Sequence, residues 1–147
     1  MKRILSNKVF LLTAGLILVG LSCQAKKTPI AKTDLPVPAQ KFIDSYFSSE
    51  TILYAMKEAR MFTANYKVKT QSGIDIEFRE DGSWDEIEGY GLPLTFVPKK
   101  IKEYIDSKFS TAVVTKVEQK KRGFEIELND DLELYFDAEG NFKGMDD

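Results

Sequence analysis

The chain has 147 residues, the length of one small domain, and its hydrophobic residues (43%) are numerous enough to form a core. It contains no histidine and one cysteine. This composition excludes histidine-activated nucleophiles, the usual zinc sites and internal disulfides. The sequence also lacks a glycine-rich phosphate loop and a Gly-x-Ser-x-Gly motif. We therefore expect a protein that is not an enzyme and that has no cofactor and no metal site.

Residues 1–22 differ in composition from the rest of the chain. Lys2, Arg3 and Lys8 are the only charged residues of this segment, and an apolar run follows from Val9 to Leu21. This run is shorter than the roughly 20 residues that a membrane-spanning helix needs. A basic head, a short apolar core and a small residue at its end are typical of a secretory signal. We predict that residues 1–22 are a signal peptide and that the mature protein is exported.

The end of this segment, Val19–Cys23, resembles a bacterial lipobox, in which the cysteine receives a diacylglycerol and becomes the first residue of the mature chain. The resemblance implies that Cys23 is lipidated and anchors the protein in the cell envelope. Gln24 follows the cysteine where an acidic residue would act as a retention signal. By analogy with sorting rules in some bacteria, this favours the outer membrane, facing the periplasm or the cell surface. The alternative is an ordinary signal peptide that leaves an unmodified cysteine.

The mature chain is acidic. Removal of residues 1–22 takes away three of the 21 basic residues and none of the 23 acidic ones, which leaves 18 basic residues and a net charge of −5. An acidic domain is a poor candidate for binding nucleic acid, and we expect no such partner.

The remaining sequence divides into a predicted tether and a predicted domain. Residues 23–40 contain three prolines among small and polar residues, a composition that favours an extended spacer. Residues 41–147 repeat a pattern, which predicts two copies at 41–89 and 94–147. Ile43–Ser48 reappears as Ile105–Ser110. The pattern Glu77-x-x-x-Asp81-Gly82-x-Trp84 corresponds to Tyr135-x-x-x-Glu139-Gly140-x-Phe142.

Each predicted copy begins with a helix and ends in alternating strands. Apolar stripes at helical spacing predict the two helices, with Phe42, Ile43, Tyr46 and Phe47 in the first and Ile101, Tyr104, Ile105 and Phe109 in the second. Alternation of apolar and polar residues around 66–79 and 124–136 predicts antiparallel strands joined by short turns. Residues 112–121 favour a strand, and residues 51–62 stay open between helix and strand. The expected fold class is α+β, a tandem repeat of a helix followed by an antiparallel β-meander, with the helices packed on one face of the sheet.

This arrangement behind a lipoprotein signal resembles the PepSY-like family, also described as β-lactamase-inhibitor-like. The acidic-Gly-x-aromatic turn after an x-Phe strand carries most of the resemblance, which covers residues from about 35 to 147. The resemblance implies helices on one face of an antiparallel sheet, an exported location and no known catalytic residues.

The strand alternation also predicts a binding face. Along the predicted strands every second side chain is apolar, and these side chains should pack on the helices. In the second copy, the side chains that alternate with them are acidic, with one aromatic residue. This face consists of Glu125, Glu127, Glu133, Tyr135 and Asp137. We expect a non-catalytic module that binds a protein partner with a basic surface.

The alternatives are a structural lipoprotein of outer-membrane maintenance, an ordinary solvated sheet face, and a small-ligand or calcium binder. Acidic residues at 80–86 and 129–131 are the calcium candidates, although their composition also suits hairpin turns.

Overall fold

The computed structural model describes residues 26–59, 63–129 and 131–146. The predicted signal peptide and Cys23 lie outside the described residues. The described chain forms nine strands and two α-helices, with a short 3-10 helix at Lys32–Asp34. The helices are α1 (Val37–Tyr46) and α2 (Lys99–Lys108). The strands are β1 (Lys26–Ile30), β2 (Ile52–Ala59), β3 (Ala64–Thr70), β4 (Asp75–Phe78), β5 (Trp84–Glu88), β6 (Val114–Lys120), β7 (Gly123–Leu128), β8 (Leu132–Asp137) and β9 (Phe142–Asp146).

All nine strands belong to one antiparallel sheet in which each strand pairs with the next in sequence. The pairing aligns the apolar phase of the strands into a row that crosses the sheet. Each of these side chains exposes 4% or less of its surface. In order across the sheet the row is Ala55, Val68, Ile76, Ile87, Val117, Ile126 and Leu134. The period-two alternation predicted from the sequence is therefore confirmed on the strands that carry it.

The predicted fold class, an α+β tandem repeat of helix and meander, is wrong. The described part of the chain is mostly one nine-stranded sheet, and the two α-helices in it contain ten residues each. The predicted boundary between the copies does not interrupt the sheet, because β5 pairs with β6 through Ile87 and Val117. The prediction failed because similarity between two segments does not say whether their edge strands stay separate or join.

Residues 26–40 of the predicted tether are part of the fold. β1 pairs along its whole length with β2, from Lys26 opposite Ala59 to Ile30 opposite Ala55. Pro29 is accommodated because β1 is an edge strand of the sheet. Pro36 is the N-cap of α1 and Pro38 lies in its first turn, where a missing N–H costs no helical hydrogen bond. The prolines that suggested an extended spacer thus act as an edge-strand residue and as helix-start residues.

The segment that the sequence left open between helix and strand is a strand. Residues 52–59 form β2, and residues 114–120 form β6 as predicted. Within the described residues, no helix has both the length and the apolar composition needed to cross a membrane.

The two acidic-Gly turns support the starts of the two helices. Gly82 has φ +83° and Gly140 has φ +81°. A Cβ atom on Gly82 would lie 2.6 Å from Cβ of Pro36, and one on Gly140 would lie 2.9 Å from Cβ of Pro98. Glycine is therefore required at both turns by the backbone conformation and by the close approach of a helix.

We predict that Gly82→Ala lowers the free energy of unfolding by about 3 kcal/mol, from the left-handed backbone and the clash with Pro36 together. Gly73→Ala is the matched control, because Gly73 also has positive φ but a Cβ there would meet nothing within 4 Å. The control should lose only about 1 kcal/mol. Urea unfolding at equilibrium measures both values, and equal losses would contradict the packing role of Gly82.

Candidate binding face

The face of the sheet opposite the buried row is charged. Two parallel rows of side chains cross it, and their members alternate with the buried residues along each strand. The first row is Met56, Lys67, Glu77, Glu86, Glu118, Glu125 and Tyr135, and the second is Tyr54, Lys69, Asp75, Glu88, Lys116, Glu127 and Glu133. Most of these side chains are half-buried, because neighbouring strands hold them side by side.

Lysines neutralise the part of this face formed by β3 to β6. Lys67 pairs with Glu77 at 3.1 Å, and Lys69 pairs with Asp75 at 2.5 Å. Lys116 pairs with Glu86 at 2.9 Å. Ion pairs of this kind contribute little to stability individually, but they fix the direction in which each ammonium points.

Two lysines of the face, Lys67 and Lys116, have raised pKa values. Burial by itself would lower the pKa of Lys116, but the hydrogen bond to Glu86 and the charges of Glu86, Glu118 and Glu125 outweigh burial and raise it. The pKa of Lys67 is raised in the same way, against burial, by its hydrogen bond to Glu77. The carboxylates next to Lys67 and Lys116 therefore stabilise the charged form of both lysines.

Negative charge is in excess on β7 and β8, which contain no basic residue. The register places Glu125 opposite Tyr135, and Glu127 opposite Glu133. Asp137 follows on β8, opposite Gly123 at the start of β7. The structure thus brings together all five residues of the predicted face: Glu125, Glu127, Glu133, Tyr135 and Asp137.

Three of the four acids have no ion-pair partner, and one of these three is linked to the tyrosine of the face. Among the described residues, Glu127, Glu133 and Asp137 form no ion pair, whereas Glu125 lies 3.2 Å from the ammonium of Lys120. The Tyr135 hydroxyl donates a hydrogen bond of 2.5 Å to Glu133. This hydrogen bond, with desolvation and the nearby carboxylates, raises the pKa of Tyr135 to about 12.

The calcium candidates at residues 80–86 serve as a hairpin turn. Oδ1 of Asp81 accepts hydrogen bonds from the backbone N–H of Ser83 at 2.9 Å and from its hydroxyl at 2.6 Å. These bonds lower the pKa of Asp81. Asp85 pairs with Arg79. Over the described residues as a whole, no group of three or more carboxylate or thiol side chains is arranged to hold a metal ion. Of the second candidate, Asp130 lies outside the described residues, and Asn129 has φ +56° in the turn between β7 and β8.

Sequence reasoning missed two open cavities on either side of Tyr90. The larger one, about 220 Å³, lies between the end of α1, the β3–β4 turn and the loop after β5, and its lining includes Tyr46 and Glu50. The smaller one, about 110 Å³, includes Glu88 and Glu127. The available signal was the sequence Gly89-Tyr90-Gly91, since an aromatic residue between two glycines is rarely a core residue.

Comparisons with known proteins agree on a family. The family model described as "Putative beta-lactamase-inhibitor-like, PepSY-like" matches residues 64–144. No curated protein matches the chain. A solved structure from Bacteroides thetaiotaomicron, described as a "putative calcium-regulated periplasmic protein", is 30% identical with a TM-score of 0.76, over 82% of this chain and 97% of that one.

Two structures from Bacteroides vulgatus are similarly close. One is described as a "putative periplasmic protein from DUF2874 family" and is 30% identical with a TM-score of 0.73, over 83% of this chain and 98% of that one. The other, described as a "putative periplasmic protein of unknown function", is 32% identical with the same TM-score, over 83% of this chain and 100% of that one. All three similar structures are thus described as periplasmic proteins.

We predict that Glu133→Gln lowers the pKa of Tyr135 from about 12 toward 10.0, because the anionic acceptor is what favours the protonated phenol. A raised pKa in the folded state adds stability that is fully present below pH 10 and is lost as the pH rises to about 12. Between pH 10 and pH 12, the free energy of unfolding of the variant should therefore fall less than that of the unmodified protein. The ¹³Cζ resonance of labelled tyrosine reports the titration, with Glu139→Gln as the control of equal charge change. An unchanged Tyr135 titration in Glu133→Gln would contradict the assignment.

Proposed function

Because the chain belongs to the PepSY-like, β-lactamase-inhibitor-like family, we propose that it is a non-catalytic periplasmic module that binds a protein partner through the acidic end of its open sheet face. The acidic end consists of Glu125, Glu127, Glu133, Tyr135 and Asp137. The observation that carries the proposal is the concentration of carboxylates on β7 and β8, two strands without a basic residue, beside a half-exposed tyrosine.

The chemistry of the acidic end favours a basic protein surface as the partner. Like charges directly opposite each other across strands, as in Glu127 and Glu133, cost stability, and the hydrogen bonds from Thr115 to Glu127 and from Tyr135 to Glu133 offset part of this cost. Lysine and arginine side chains of a partner would relieve this repulsion. Tyr135 adds a rigid aromatic surface of the type that is enriched in interface centres.

The family description favours an extracytoplasmic enzyme as the partner, held in check by the module. An outer-membrane maintenance role is the alternative, in which the partners are membrane assembly proteins. The calcium regulation named for the relative from Bacteroides thetaiotaomicron adds a condition to the test, because calcium could modulate binding to an acidic face.

The first test is a crosslinked pull-down from envelope extract with the immobilised protein. We expect a partner whose capture falls at least about tenfold when Glu125, Glu127 and Asp137 are changed together to lysine, since charge reversal turns attraction into repulsion. The experiment is run with calcium and with a chelator. A soluble enzyme in stoichiometric yield supports an inhibitor-type module, and its activity with and without the module is then measured.

The matched control reverses three exposed acids elsewhere, Glu103, Asp106 and Glu139, which changes the net charge by the same amount. Its capture should stay near that of the unmodified protein. A milder variant with Glu125→Gln, Glu127→Gln and Asp137→Asn keeps the test valid if the reversal variant fails to fold, which thermal unfolding will show. Unchanged capture by a folded face variant would rule out the acidic end as the binding surface.

A lipid anchor on Cys23 would hold this module at the membrane and is part of the proposal. We expect Cys23→Ser to move the protein from the membrane fraction to the soluble fraction and to abolish incorporation of labelled fatty acid, since the acyl chains supply the anchoring energy. Ser22→Ala, which keeps the cysteine and a small residue at the cleavage site, is the control. Membrane retention and labelling of Cys23→Ser would show that the cysteine is not the anchor.

A further inference from the structure

The larger cavity beside Tyr90 combines an anchored carboxylate with aromatic walls. It lies outside the acidic end of the sheet face and among residues to which no function has been assigned. Its lining includes Tyr46, Glu50, Ser72, Ile74 and Tyr90. Among the described residues that line it, none is basic. Tyr46 exposes 42% and Tyr90 82% of its surface, so both rings are available to a ligand.

Glu50 is held in place by a chain of hydrogen bonds that starts in the buried backbone. The N–H of Ile74 donates to Oγ1 of Thr70 at 2.9 Å, and Thr70 is only 1% exposed. Oγ1 of Thr70 lies 2.9 Å from Oγ of Ser72, and the Ser72 hydroxyl donates to Oε2 of Glu50 at 2.5 Å. Because the hydrogen of Ser72 is used by Glu50, Thr70 must be the donor to Ser72. The carboxylate is thereby fixed at the cavity.

The electrostatics of both cavities favour a cation. Among the described residues Glu50 forms no ion pair, and the same holds for Glu88 and Glu127 on the other side of Tyr90. The ammonium groups of Lys69 and Lys116 pair with other acids, with Asp75 at 2.5 Å and with Glu86 at 2.9 Å. Tyr90 therefore lines two cavities whose only charged lining residues are carboxylates.

We propose that the larger cavity binds an alkylammonium group, with Glu50 as its counter-ion and the rings of Tyr46 and Tyr90 as cation–π walls. A metal ion fits less well, because calcium takes six to eight oxygen ligands whereas one carboxylate is anchored here. The cavity, about 220 Å³, is smaller than a site for a drug-sized ligand and suits a single head group. None of the residues that line this cavity belongs to the acidic end of the sheet face.

The test titrates ¹⁵N-labelled full-length protein with three probes and follows amide shifts around Glu50, Ser72 and Tyr90. The probes are butylammonium, the peptide Gly-Lys-Gly with blocked termini, and the same peptide with norleucine in place of lysine. We expect the first two to bind and the neutral peptide to bind much less. Tighter binding of the lysine peptide than of butylammonium assigns the site to a lysine of a partner, and the reverse order assigns it to a small free amine.

Variants separate the two contributions. Glu50→Gln keeps the acceptor for Ser72 but removes the charge, and it should weaken ammonium binding about fivefold. Tyr90→Ala should weaken it about threefold, whereas Tyr90→Phe keeps the ring and should restore most of the affinity. Glu139→Gln, which removes an equal charge in the β8–β9 turn, should bind as the unmodified protein does.

Equal affinity for the neutral peptide, or unchanged affinity in folded Glu50→Gln, would overturn the proposal. Variants of Glu125 and Asp137 should leave this binding intact, so its failure is distinguishable from failure of the partner-binding face.

Discussion

The alignment of buried apolar side chains into one row across the sheet is the constraint on which the rest of the structure depends. Val68, Ile76, Ile87, Val117 and Ile126 follow one another from β3 to β7, and each is fully buried. A slip of one residue in any pair would move a charged side chain into this row. The row therefore fixes the register of neighbouring strands, and it does so through the β5–β6 junction that joins the two halves of the chain.

The charged face is a consequence of the same constraint. Side chains that alternate with the buried row must point to the opposite face, where they meet their neighbours from adjacent strands at short distance. On β3 and β4 this brings lysines against acids, whereas on β7 and β8 it brings acids against acids, as in Glu127 and Glu133. The fold thus turns a difference in strand composition into a local excess of negative charge, which the proposed partner would complement.

Sequence reasoning succeeded where a short-range pattern decided the outcome. The apolar phase of residues such as Ile76 and Leu134 and the helices ending at Tyr46 and Lys108 follow from period and spacing, and the structure contains them. It failed where pairing partners are distant in sequence. β1 was predicted as part of a tether because the prolines of residues 23–40 suit an extended spacer, yet 26–30 pairs with 55–59. The cavity around Glu50 was missed for the same reason, since three separate loops form it.

By itself, the sequence determined which side chains share a face, where turns fall, and that the five acidic-end residues would lie on the solvent side of their strands. These features depend on local backbone geometry and on the alternation of apolar and polar residues, which neighbouring residues encode. Only the tertiary structure decided that nine strands join in one sheet, that Glu125 lies opposite Tyr135, and that Tyr90 stands between two cavities. Those features depend on burial and hydrogen bonding between segments far apart in the chain, and no local pattern specifies which segments will meet.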